Sequence, residues 1–334
     1  MPATPAAIVV GEVLWDCFSE ADGGRRILGG APLNVAWNLA GLGLDPIFVS
    51  AVGDDELGHE IIERMRSFGM TTCGIAVLPG VTTGTVQVTL DKGEPQYEIV
   101  RDVAWDQIPM PTHELSEAIS EAMAVAHRDD HPALLYYGSL ACRDVRSRDT
   151  ITRIRDTMLG DPIRSSVFFD VNLRAPHYDR ETLNELRRSA SVIKLNLNEL
   201  SQLSDDAERS QAGEDGSLDE SHQAAKRTIA AGRAFEADPD QVPLSGLLVT
   251  LGADGALVYT PGCNEPLRVQ SPQPETMQDP VGAGDAFAAV MMHGILTGRP
   301  FTRSLPDAVA FASKVCSLAG ATCDDRSFYR LPSS

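Results

Sequence analysis

Asp279-Pro280-Val281-Gly282-Ala283-Gly284-Asp285-Ala286-Phe287 sets two glycines and a carboxylate just ahead of a segment, Ala286 to Leu296, that is apolar nearly all round. A helix apolar on every side belongs inside a core, so the stretch predicts a buried helix that opens at Gly282. The first-turn amides of such a helix lack partners within it and, with the helix dipole, form an anion site. Gly282 and Gly284 let a phosphate approach bare backbone, and Asp285 stands beside it. A carboxylate next to an anion suits the uptake of a proton. Taken alone, the same residues read equally well as a glycine turn followed by an acidic first-turn residue.

Outward from this stretch, short β-rich runs alternate with helical patterns. Ile8 to Val10, Ile47 to Ala51, Ala133 to Tyr137, Val167 to Val171, Val192 to Leu195 and Leu247 to Leu251 read as buried strands. Between them Leu57 to Phe68, His113 to Val125, Ser147 to Met158 and Arg180 to Arg188 carry helical spacing. The alternation predicts an α/β fold with a mostly parallel sheet, helices on both faces and ligands beyond the carboxyl ends of the strands. Two segments break the pattern. Val13 to Leu28 and Thr85 to Asp106 read as antiparallel strands, the second turning at Asp91-Lys92-Gly93-Glu94, and together they suit a lid over a cleft. The acidic stretch Ser204 to His222 reads as a solvated loop.

Composition removes several classes of function. The 334 residues include 47 acidic and 28 basic ones, a net charge of −19 that argues against a nucleic-acid partner. No apolar run reaches the roughly 20 residues of a membrane helix, and Met1 to Ala7 has no basic-then-apolar leader, so a cytoplasmic location is expected. Six cysteines and seven histidines show neither a CxxC pair nor an HExxH pattern, which argues against zinc and disulfide frameworks. Phe287 occupies the third-glycine position of a dinucleotide fingerprint, and no Gly-Lys pair exists for a phosphate loop of the Walker type.

Near the N-terminus, Gly29-Gly30-Ala31-Pro32-Leu33-Asn34-Val35-Ala36-Trp37-Asn38-Leu39-Ala40-Gly41-Leu42-Gly43 again sets glycines before a helix. Asn34 can donate to and accept from a hydroxyl, and Asp16 upstream can accept two hydroxyl hydrogens. Glycine, Asn and Asp together suit a polyhydroxylated ligand. Singly, Asn34 reads as readily as a helix cap and Asp16 as a turn residue.

These two segments and their order resemble the signatures of PfkB-family (ribokinase-like) carbohydrate kinases, and the chain is most similar to the fructokinases among them. Further matches follow in sequence: Arg101 in Tyr-Glu-Ile-Val-Arg-Asp, Tyr137-Gly138-Ser139, Asp170-Val171-Asn172-Leu173-Arg174, Lys194-Leu195-Asn196-Leu197-Asn198-Glu199 and Val249 to Gly255. The resemblance implies a three-layer α/β/α core, residues 1–12, 29–84 and 107–334, with a small β-sheet lid from 13–28 and 85–106. It implies transfer of the γ-phosphoryl group of ATP to a sugar hydroxyl, Asp285 acting as base and the Gly282, Ala283 and Gly284 amides as anion hole. Asp16, Gly29, Gly30, Asn34, Arg101 and Arg174 would then face the sugar, and Lys194, Asn196, Thr250, Gly252, Gly255 and Ser313 the nucleotide.

Glu199 would contact Mg²⁺ through water, as that reluctantly dehydrated cation favours. Asp279 and the Val281 carbonyl match a K⁺ site of some relatives, where Pro280 departs from the family pattern and removes an amide donor. Lys194 is one of only four lysines; it reads either as a phosphate contact or as a structural lysine with a buried stem. Trp37 and Trp105 are bulkier than their counterparts in many relatives. Fructose or a related sugar is the expected substrate, with a 2-keto-3-deoxygluconate-type sugar acid or a nucleoside as alternatives. A non-catalytic sugar-binding regulator is the reading from a different class. Exposed edges of lid strands pair readily with a second copy, which predicts a homodimer through the lid.

Overall fold

The computed structural model describes residues 5–18, 24–91, 94–160, 164–203, 220–273 and 276–331, without the side chains of 89–91, 94–97 and 220–222. In chain order the strands are β1 (Ala6–Val10), β2 (Leu14–Phe18), β3 (Arg26–Gly29), β4 (Ile47–Gly53), β5 (Ile75–Leu78), β6 (Gly84–Asp91), β7 (Glu94–Ile99), β8 (Ala133–Gly138), β9 (Ser165–Asp170), β10 (Val192–Asn196), β11 (Gly246–Thr250), β12 (Ala256–Tyr259) and β13 (Leu267–Val269). The helices are α1 (Ala31–Gly41), α2 (Glu56–Phe68), α3 (His113–Arg128), α4 (Val145–Met158), α5 (Arg180–Arg188), α6 (Leu197–Leu203), α7 (Glu220–Ala237), α8 (Ala283–Leu296) and α9 (Phe301–Val315).

Nine strands form one sheet in the order β13-β12-β11-β10-β9-β8-β1-β4-β5. All pairs from β11 to β5 are parallel, and β12 and β13 close the far edge antiparallel. Parallel strands buried on both faces must be apolar at every position, and burial alternates sides along them. Val9, Phe48, Tyr136, Phe168 and Leu248 share one core with α1, α8 and α9, whereas Ile8, Val49, Tyr137, Phe169 and Val249 share the other with α3, α4 and α5. The result is three layers. Helix α8 is buried from Ala286 to Met292, as its lack of a polar face predicts. Where helices meet solvent, caps mark their ends: Asp55 accepts from the Gly58 amide at 2.8 Å to open α2, and Gly69 closes it in the left-handed conformation.

The remaining four strands form a separate sheet in the order β3-β2-β6-β7. β2 with β3 and β6 with β7 are antiparallel as expected, but the central seam between β2 and β6 is parallel, with Asp16 opposite Val86. The reason lies in the main sheet. β2 follows β1 and β6 follows β5, both leaving carboxyl ends of parallel strands, so they enter the second sheet side by side. Leu14, Val86 and Val88 bury its inner face.

The segment expected to belong to this sheet as far as Asp106 leaves it at Ile99. Val103, Trp105 and Leu140 instead form a small apolar cluster against the main body. There the Arg143 guanidinium lies 4.1 Å over the Trp105 ring, grips Asp106 through both carboxylate oxygens at 2.7 and 2.8 Å, and donates to the Val100 carbonyl at 2.6 Å. Trp37 is a core residue, stacked on Phe68 at 4.4 Å and donating to the Cys323 carbonyl at 3.3 Å. The acidic segment at 204–219 lies outside the described residues. No helix among the described residues is long and apolar enough to cross a membrane.

Candidate active site

The carboxyl ends of β1, β9, β10 and β11 converge with the N-termini of α1 and α8, the crevice where open α/β sheets hold ligands. Glycine is required at both helix entrances. Gly30 has φ 107°, and a Cβ there would lie 2.5 Å from the Glu12 carbonyl oxygen; Gly282 has φ 81°, and its Cβ would lie 2.2 Å from that of Ala321. Any side chain would collide with the Glu12 backbone at the first entrance or with Ala321 at the second.

Across the gap between the two helices, Asn34 Nδ2 donates to Asp285 Oδ2 at 2.8 Å. Asn34 is 5 % exposed and its Oδ1 is a buried acceptor without a partner. Burial pushes the Asp285 carboxyl up to about 6; the Asn34 bond opposes that shift, and Asp170 adds to it. Asp285 is thus ionised at neutral pH and more basic than an exposed aspartate. No side chain caps α8, and the Ala283 amide turns to the Pro280 carbonyl at 3.3 Å. Of the three expected anion-hole amides, that of Ala283 therefore has an internal acceptor.

Asp16 stands on β2 with its Oδ2 against Gly29, where a Cβ would come within 2.9 Å. Burial lifts it to about 6, opposed by the Arg174 guanidinium and reinforced by Asp279. Arg174 is exposed, and its charge also reaches Glu12 and Asp285. Glu12 has no place in the sequence expectations. It is 2 % exposed, its Oε2 has no partner, and burial raises it to about 7. Arg101, exposed at the end of the second sheet, lines with Ser139, Arg143 and His177 a polar cavity of about 170 Å³. Burial and the charges of Arg143 and Arg101 hold His177 below its ordinary value, so it is neutral there.

Lys194 has the buried stem of its structural reading. It is 6 % exposed, and its Nζ bonds both oxygens of the fully buried Asp170 at 2.9 Å, while the Tyr136 hydroxyl donates to Asp170 Oδ2 at 3.1 Å. Its Nζ also lies 3.5 Å from where a Cβ on Gly284 would stand, directly under the first turn of α8. Burial opposes its charge, but Asp170 and Glu199 outweigh that and hold its pKa above the ordinary value.

Asn196 and Glu199 cap α6 reciprocally: Asn196 Oδ1 accepts from the Glu199 amide at 2.9 Å and Glu199 Oε2 from the Asn196 amide at 2.8 Å. Glu199 Oε1 accepts from the Leu173 amide at 2.8 Å. Both carboxylate oxygens thus spend one lone pair on backbone and keep another. That donor set fits a magnesium ion held through its own water. No group of three or more His, Cys, Asp or Glu able to hold a metal directly occurs among the described residues.

Thr250, Gly252, Gly255, Pro280, Gly284 and Ser313 line an adjoining cavity of about 260 Å³, which continues into one of about 250 Å³ past Asn196 and Thr250. Ser313 donates to the Pro272 carbonyl at 2.8 Å, so its hydroxyl shapes the wall. Asp279 Oδ1 accepts from the Val281 amide at 2.9 Å, closing a tight turn around Pro280.

The pfkB family carbohydrate kinase model matches residues 8–326. The chain is 26 % identical over 288 residues to the probable fructokinase-2 of Arabidopsis thaliana, covering 84 % of this chain and 75 % of that one. An uncharacterized sugar kinase of Pyrococcus horikoshii is 28 % identical over 204 residues, 57 % of this chain and 61 % of that protein. Its structure in complex with ATP superposes with a TM-score of 0.71 over 95 % of this chain and 93 % of that one, at 24 % identity. A fructokinase of Xylella fastidiosa with bound ATP gives 0.72 over 97 % and 94 %, at 22 % identity. These likenesses show the ribokinase-like fold: the nine-stranded sheet with its helices, and the small separate sheet beside it.

Proposed function

This chain belongs to the pfkB family of carbohydrate kinases, and we propose that it transfers the γ-phosphoryl group of ATP to a hydroxyl of fructose or a related sugar. The observation that carries the reading is Asn34 Nδ2 on Asp285 Oδ2 at 2.8 Å, which sets a basic carboxylate between a hydroxyl-binding segment and an anion site. Asn34 Oδ1 accepts one sugar hydroxyl, and Asp16 another. The hydroxyl to be phosphorylated gives its proton to Asp285 as its oxygen bonds the γ-phosphorus and the bond from that phosphorus to the β-phosphate oxygen breaks, releasing ADP. The reaction asks mainly for positioning and charge neutralisation. An Asp with only a modestly raised pKa suffices, because it receives the proton as the new bond forms.

The Gly284 backbone and the Lys194 ammonium face the transferred group, and Thr250, Gly252, Gly255 and Ser313 wall the nucleotide. Asn196 and Glu199 hold Mg²⁺ through water, and that ion, when bound, spreads the phosphate charge. Asp279 and the Val281 carbonyl form the K⁺ site. Residues 13–28 and the second sheet act as a lid and as the face of a homodimer, in the cytoplasm. A sugar acid is the second reading, favoured by Arg101 and Arg174, since guanidinium recognises a carboxylate with two bonds.

ADP release measured across a panel of ketoses, sugar acids and nucleosides, with magnesium and with or without potassium, tests the proposal. Turnover with fructose supports it, and turnover confined to a sugar acid selects the second reading. No turnover with any acceptor leaves the non-catalytic regulator and overturns it.

A further inference from the structure

Among the described residues, the main sheet is apolar nearly throughout, yet it buries three polar side chains together at the carboxyl ends of neighbouring strands: Tyr136 on β8, Asp170 on β9 and Lys194 on β10. Such a group is a poor device for stability alone. Charges taken from water lose hydration that their mutual attraction barely repays, and apolar replacements of equal volume are often as stable. Its position is informative. Lys194 Nζ gives two of its three hydrogens to the oxygens of Asp170, both at 2.9 Å, and keeps the third. Gly284, in the first turn of α8, faces that ammonium and presents no side chain: a Cβ there would stand 3.5 Å from Nζ.

We propose that Asp170 and Tyr136 are positioning residues for phosphoryl transfer, fixing the Lys194 ammonium beneath Gly284 so that its third hydrogen meets the transferred phosphoryl group. The inference rests on the kinase reading above and deepens it. Lysine on a four-carbon stem would otherwise sample many rotamers, and pinning it in advance removes that cost from the reaction. Tyr136 donates to the oxygen of Asp170 at 3.1 Å, so the carboxylate is itself held from the strand on its other side. Arginine could not replace Lys194, because its planar fork would spread both prongs on Asp170 and leave no compact charge for the phosphate.

The groups facing Lys194 are Asp170 from β9, Glu199 from α6 and Asp285 from α8; Tyr136 has Asp170, Asp285 and Glu12 around it. The experiment measures ATP-dependent sugar phosphorylation, together with direct ADP binding, for the wild type, Y136F, D170N, K194M, K194M/D170N and K194M/Y136F. K194M is expected to lower kcat by about 10²–10³-fold, the loss of one preorganised donor. D170N is expected to lower kcat by about tenfold or more while ADP affinity stays within about threefold, a split that a merely structural role would not produce. On the K194M background, D170N and Y136F each change kcat by less than about threefold, because residues acting through a third have nothing left to act on.

Y136F keeps the ion pair and K194M/D170N removes both charges, so folded protein is available even if D170N alone does not fold. Y136F on the native background is expected to lower kcat about three- to tenfold, of the order of one hydrogen bond. Wild-type kcat in folded D170N, or losses that multiply with that of K194M, overturns the inference; where D170N does not fold, Y136F at wild-type kcat does so. A wild type that binds ADP and turns over no acceptor overturns the kinase reading instead, and this inference with it.

Discussion

Asn34 and Asp285, 251 residues apart in sequence, meet in a 2.8 Å hydrogen bond that joins the first turn of α1 to the first turn of α8. The Asn34 amide nitrogen orients the carboxylate, and the amide oxygen is buried without a partner.

Asp285→Asn is expected to lower kcat by about 10²–10⁴-fold, the usual worth of a positioned general base. Sugar affinity by calorimetry should stay within about threefold, since shape and hydrogen-bonding capacity are nearly kept. A variant that retains full turnover would remove Asp285 from the base role.

The pH dependence follows from the same pair. Asp285 must be ionised to take a proton, so kcat/KM for the sugar should fall as pH drops through about 6. Asn34→Ala deletes a bond donated to the ionised form, which raises the carboxyl further and moves the acid limb to higher pH. The limb is read from initial rates between pH 5 and 8 of about ten points each, a range set by where carboxyls so shifted titrate.

Glu12 links stability to pH in a definite direction. Its ordinary value of 4.5 is raised to about 7 by burial. In the fold it binds a proton that the unfolded chain has released, so its contribution is full below the ordinary value and is lost as pH rises through about 7. The loss amounts to about 3 kcal/mol at most, from about 1.4 kcal/mol per unit. Glu12→Gln keeps the size and abolishes the titration. Denaturant unfolding at acid and alkaline pH should therefore show a flatter profile for the variant; parallel profiles would contradict the assignment.

Arg143 is 6 % exposed at its side chain and Asp106 3 %, and the two bonds between them lie beside the exit from the second sheet. Arg143→Ala leaves a buried carboxylate unpaired and is expected to destabilise the protein by about 3–5 kcal/mol. Loss of the bond to Val100 should also loosen the second sheet, raising KM for the sugar more than that for ATP. A thermal melt and steady-state kinetics on the folded fraction check both.

The main sheet was legible because parallel strands buried on two faces appear as unbroken apolar runs, and each of the six expected strands is present to within about two residues, the normal spread of such boundaries. β5, β12 and β13 were not, because strands of 4, 4 and 3 residues carry no periodic signal. The parallel seam between β2 and β6 could not be read locally, since it depends on how β1 and β5 are oriented in another sheet. At the site, glycine-rich segments announce themselves through composition. Glu12 and Tyr136 do not: a buried carboxyl after a strand and a tyrosine within one look like any others until their neighbours are known. The capping role of Glu199 was half visible, because Asn196 and Glu199 stand at the spacing of a capping box.

The seam between β2 and β6 also sets an order of assembly. Its two strands are separated in sequence by β3, α1, β4, α2 and β5, so neither has its central neighbour until that part of the main sheet has returned the chain to the same edge. Contacts this distant are slow to form and are made after local ones. Substitutions that trim Val86 or Val88 should then speed unfolding while leaving the folding rate nearly unchanged. The second sheet would be the last part of the molecule to arrive during folding and the first to leave.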